Sequence, residues 1–144
     1  MDETTHIHSY LSTLPESKKS EMEELHKRIL TLFPGCKLWF MDGKNNENKI
    51  VTNPNIGYGE YTITYADGKA RPFYKIGISS TSKGISVYLM GIENKNFLKE
   101  SVGSRLGKAK ISGYCISFKS LNEINLDVLD ETILHVISGS QPIK

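Results

Sequence analysis

NPNIGYGEYTITYADGKARPFYKIGISSTSKGISVYLMG, residues 53–91, reads as a run of short alternating strands joined by compact turns. Ile56 to Tyr65 alternates with the two-residue period of a strand. Asp67-Gly68 is a strong hairpin signal and predicts a type I′ turn, with positive φ at both central residues. The return strand is expected over Phe73–Ser80, with Tyr74, Ile76 and Ile78 on one face. A second turn at Ser82-Lys83-Gly84 leads into Ile85–Met90, where Ile85, Val87 and Leu89 share a face. Together these segments predict a three-stranded antiparallel meander. Gly57 and Gly59 interrupt its first strand at i and i+2, pointing to one face. Both are expected where the sheet cannot take a Cβ, through positive φ, a bulge or a close approach.

The flanks read differently. Ile7, Tyr10, Leu11 and Leu14 have helical spacing, with Thr4 or Thr5 as the expected cap. Pro15 suits the start of a second helix, which carries Met22, Leu25, Ile29, Leu32 and Phe33 on one face and stops at Pro34-Gly35. Cys36–Met41 is a strand apolar on both sides, hence covered on both faces or at an edge. Asn94 can cap a short helix ended by Gly103. LGKAKISGYCISF, residues 106–118, holds a basic, glycine-punctuated segment and a last strand with Tyr114, Ile116 and Phe118 on one face. A C-terminal helix lined by Leu126, Leu129, Ile133, Val136 and Ile137 is capped near Asn125. The pattern predicts one α+β domain over residues 1–144. Its two layers are an antiparallel sheet of about five strands and the N- and C-terminal helices, packed on one face.

Composition excludes several classes. With 144 residues, 38% hydrophobic and 24% charged, the chain can bury a core and is not disordered. No apolar run is long enough to span a bilayer, and MDETTHIHSY is not a signal peptide, so a cytoplasmic protein is expected. Two cysteines, Cys36 and Cys115, make no disulfide scaffold and read as small buried thiols. The net charge of +2 is uneven: −2 over residues 1–31, +7 over 32–120 and −3 over 121–144. A basic sheet between acidic helices makes the molecule bipolar.

The motifs YLSTLP, WFMDG, IGYG with the following Tyr-x-Ile-x-Tyr-Ala-Asp-Gly, GISSTSKGISVYLM, LGKAKISGYCISFKSL and INLDVLDETI occur in that order between Tyr10 and Ile137. In order and spacing the chain resembles the YdhG-like family, a domain family of unknown function. The resemblance implies a fold similar to that of frataxin, with helices on one face of an antiparallel sheet. It also implies an alternative function, since some relatives are described as frataxin-like iron chaperones. Many relatives carry a Pro-Arg-Lys turn where this chain has Ser80-Thr81-Ser82-Lys83, keeping only Lys83.

No motif marks a nucleophile with its base, so no catalysis and no cofactor are expected. His6 and His8 lie about 200° apart on a helix and do not converge. For the iron alternative the candidate ligands are Glu21, Glu23 and Glu24, interleaved on their helix with Lys18, Lys19, Lys27 and Arg28. LGKAK lacks the spacing of a phosphate-binding P-loop. Basic residues in glycine-containing turns, Lys83, Arg105, Lys108 and Lys110, can aim charge and backbone N–H groups at an anion. With neighbouring tyrosines they give the candidate ligand site Tyr58, Lys83, Tyr88, Arg105 and Lys108. The expected function is a non-catalytic module that binds a small anion or a protein. No membrane is involved, and no signature of a nucleic-acid-reading sheet is present.

Overall fold

The structure, a computed structural model, describes residues 3–50, 52–90 and 96–137. Helix α1 (Glu3–Ser12) buries Ile7 and Leu11, one turn apart. Thr4 and Thr5 lie inside its first turn, so neither is the cap expected of them. Helix α2 (Glu16–Leu32) begins after Pro15, which stands at the N-cap with φ −56°, and buries Met22, Leu25 and Ile29. It ends at Phe33, whose N–H still donates to the Ile29 carbonyl, and Gly35 follows with φ 75°.

Strands β1 (Leu38–Met41), β2 (Asn55–Tyr58), β3 (Tyr61–Thr64), β4 (Ala70–Phe73), β5 (Ile76–Thr81) and β6 (Gly84–Leu89) come next. Helix α3 (Phe97–Leu106), strands β7 (Lys110–Ser112) and β8 (Cys115–Phe118), a short 3-10 turn (Leu121–Glu123) and helix α4 (Leu126–Ile137) complete the chain. The main sheet has six strands in the order β1-β2-β5-β6-β8-β7, every neighbouring pair antiparallel; β3 and β4 form a separate two-stranded ribbon. The fold is therefore α+β as expected, with six strands in the main sheet, close to the about five expected.

Alternation sorts the sheet into two unlike faces. Ile56, Ile78, Val87, Ile116 and Ile111 form one cross-strand row of β-branched residues. With Ile76, Ile85, Leu89 and Phe118 they pack against Met22, Leu25 and Ile29 of α2 and Leu129, Ile133 and Val136 of α4. The opposite face carries small or polar residues: Gly57, Gly77, Tyr88, Cys115 and Ser112 in one row, Ser79, Ser86, Ser117 and Lys110 in the next. Cys115 thus lies half-buried on this second face, outside the core.

Four further local expectations change. The strand expected over Ile56–Tyr65 breaks at Gly59, whose φ is +79°; Trp39 Nε1 donates to its carbonyl at 2.7 Å. The hairpin at Asp67-Gly68 has positive φ only at Gly68. Tyr65 accepts from Gly68 N–H (2.9 Å) and donates to the Lys69 carbonyl (2.8 Å), the three-residue loop that ends in a glycine bulge. Tyr74 does not share a face with Ile76 and Ile78. The chain turns at Tyr74-Lys75, and the ring crosses to the other side of the sheet, where it lies over Gly57 and Gly77. Helix α3 also runs through Gly103 to Leu106, and Gly107 (φ 112°) is its stop. The cap expected at Asn94 lies outside the described residues. Among the described residues no helix is long and apolar enough to cross a membrane.

Candidate functional site

Two glycines draw three loops together at one end of the sheet. At Gly84 (φ +146°) a Cβ would lie 2.8 Å from Lys119 Cα, so only glycine lets the β5–β6 turn sit on the chain leaving β8. At Gly107 (φ +112°) a Cβ would lie 2.6 Å from the Glu123 carbonyl oxygen. Lys108 N–H donates to that same carbonyl at 3.0 Å, and Asn125 N–H to the Leu106 carbonyl at 2.6 Å. Lys18 of α2 reaches across to the carbonyls of Thr81 (3.5 Å) and Gly84 (3.3 Å), while Glu21 accepts from the Ser120 hydroxyl and Leu121 N–H.

The result is an open cleft of about 580 Å³ lined by Lys83, Lys108, Lys110 and Lys119, with Ser86 and Ser117 on its sheet side. All four lysines are exposed, and among the described residues none of them is in an ion pair. Glu123 is the single carboxylate among the lining residues. Like charges gathered on one surface repel weakly through water, so a multivalent anion entering the cleft relieves repulsion as well as gaining attraction.

The five residues expected to form one site are dispersed. Lys83 and Lys108 meet in the cleft. Arg105 turns to α4 and pairs with Glu131 at 3.2 Å. Tyr58 is fully buried in the core, where its hydroxyl and Nδ1 of His26 share a hydrogen bond of 2.6 Å. Burial pushes the Tyr58 phenol well up and the His26 imidazole down, so the bond joins two neutral groups. Tyr88 lines a separate hollow further along the open face of the sheet. Lys119 was missed because its neighbours are set by the pairing of Ile85 with Phe118, which no local signal announces.

The acids proposed for iron are also separated in role. Glu21 serves the Ser120 loop, Glu24 pairs with Arg28 at 3.1 Å, and Glu23 is left exposed. Among the described residues no three acidic, histidine or cysteine side chains are placed to share a metal ion. Compared with known proteins, the chain matches no family model, no curated protein and no solved structure.

Proposed function

We propose that this protein is a non-catalytic binding module that takes a small multivalent anion in the cleft of Lys83, Lys108, Lys110 and Lys119. One observation carries the reading: three separate chain segments bring four ammonium groups to one concavity, and among the described residues none of them is in an ion pair. Its volume of about 580 Å³ lies within the range of small-molecule sites. Serine hydroxyls on the floor offer oriented hydrogen bonds beside the flexible lysine charges. Membership of the YdhG-like family belongs to the same proposal, supported by the ordered motifs from Tyr10 to Ile137 and by an α+β architecture with its helices on one face.

Calorimetric titration of tripolyphosphate into the protein tests the reading. Binding should weaken as salt rises, because each contact is an exposed charge pair. Lys108→Gln with Lys119→Gln should reduce affinity at least about tenfold, roughly 1.4 kcal/mol. Arg105→Gln, outside the cleft, should leave it unchanged. Absence of binding, or binding indifferent to the lysine substitutions, would overturn the proposal.

A further inference from the structure

We infer that the anion is the phosphate end of a nucleotide, whose base rests in the tyrosine-lined hollow beside the lysine cleft; this deepens the anion reading and rests on it. The hollow, about 340 Å³, is lined by Asn53, Asn55, Tyr74, Tyr88, Met90 and Tyr114 among others. It opens on the same face of the sheet as the cleft. Ser86 of the cleft and Tyr88 of the hollow are two residues apart on β6 and point the same way, so they lie about 7 Å apart.

The surface between them is low. On the β8 side Cys115 flanks Tyr88 and Ser117 flanks Ser86, both half-buried, whereas on the β5 side Gly77 lies under the Tyr74 ring and Ser79 is fully buried. Among the described residues no helix covers the β8 side of this face, so a ribose can lie over Cys115 and Ser117 and span the interval between base and phosphate. Tyr114 is 52% exposed, with its ring 6.2 Å from that of Tyr88 and tilted by 36°, so it presents a free aromatic face at the mouth of the hollow. The Asn53 side-chain amide makes no hydrogen bond among the described residues and can read the donor and acceptor edge of a base. Charge complementarity selects a phosphorylated ligand over a neutral ring compound: the cleft lining carries four lysines and one glutamate. A single aromatic hollow beside a single cleft suits one nucleotide, whereas a nucleic-acid strand needs successive stacking faces.

The test compares ATP with tripolyphosphate, both free of metal, by calorimetric titration of the full chain. ATP should bind at least about tenfold more tightly, the increment that stacking one base provides. Tyr114→Ala should bring ATP to the affinity of tripolyphosphate and leave tripolyphosphate unaffected; Asn53→Ala, at another exposed position, should act on ATP alone in the same way. Equal affinity for the two probes in the unaltered protein, with both lost in Lys108→Gln/Lys119→Gln, would overturn the base site and leave the anion reading standing. No binding of either probe would overturn both. An octathymidylate that binds far more tightly than ATP and is not displaced by it would overturn the mononucleotide in favour of a strand.

Discussion

Gly57 and Gly77 are paired across β2 and β5, and one tyrosine ring lies on both. A Cβ at Gly57 would come within 2.5 Å of Tyr74 Cδ2, and one at Gly77 within 2.5 Å of Tyr74 Cε1. Tyr74 also stacks on Phe73 with centroids 4.1 Å apart, so its ring has no room to retreat. Gly59 is required for a different reason: its φ is +79°, and a Cβ there would enter the ring of Phe33. Gly59→Val should therefore lower stability by about 1–3 kcal/mol, read from the denaturant midpoint. Gly57→Ala should be costly in the native protein and much milder when Tyr74→Ala accompanies it. A coupling of about 0.5–3 kcal/mol in that double-mutant cycle is expected, and additive costs would show that the ring is not the obstacle. The His26–Tyr58 bond sets a pH dependence. Burial is the main cause holding His26 below its usual range, opposed by the charge of Glu23. The unfolded chain therefore takes up a proton first as pH falls through about 6.5, and the stability tied to neutral His26 is full above that pH and declines below it. The pH profile of unfolding should be flatter in His26→Gln between about pH 7 and 5, and an identical profile would remove His26 as the source.

The elements show where local signals sufficed and where they did not. Asn125 caps α4 as its position before Leu126 suggested, its Oδ1 accepting from the N–H groups of Asp127 (3.0 Å) and Val128 (3.3 Å). Asn125→Ala should cost about 1 kcal/mol, checked by thermal unfolding, and a neutral result would mean water replaces the side chain without loss. The terminal helices are clamped by Arg28, which makes two hydrogen bonds to Asp130, of 3.2 and 2.8 Å, as well as its bond to Glu24. By contrast the run expected as one strand over Ile56–Tyr65 serves two sheets, its apolar positions changing phase across Gly59-Glu60, from Ile56 and Tyr58 to Tyr61, Ile63 and Tyr65. Period-2 patterning records which residues face which way; it does not record a left-handed glycine that swings half the segment into a ribbon. The Asp67-Gly68 signal located the turn correctly and mistook its type, because a glycine at the third loop position serves a bulged loop as well as glycine serves a tight one.

At the scale of the molecule, charge and architecture coincide. The basic middle of the chain becomes a sheet whose open face ends in the lysine cleft, while the acidic ends become helices on the other side. A ligand that binds only the folded state must stabilise it. Tripolyphosphate at a hundred times its dissociation constant should add about 2.7 kcal/mol, which for a domain of this size raises the unfolding temperature by roughly 5–10 °C. The shift should shrink in high salt and fall by about half or more in the Lys108→Gln/Lys119→Gln protein. A shift that survives both would place the anion elsewhere.

What the sequence determined by itself was the alternation that makes the sheet, the helical spacing at both ends and the order of elements. Those properties depend on neighbours within a few residues, and hydrophobic periodicity and turn chemistry report such neighbours directly. The tertiary structure alone decided which residues meet. Lys83, Lys108, Lys110 and Lys119 become one site only after β6 pairs with β8 and the glycines at 84 and 107 let three loops touch. Tyr58 and Arg105, promising as isolated residues, are taken by His26 in the core and Glu131 on α4. Pairing across tens of residues is settled by how the whole apolar face is buried, and that energy is shared among too many side chains to be read at any one of them.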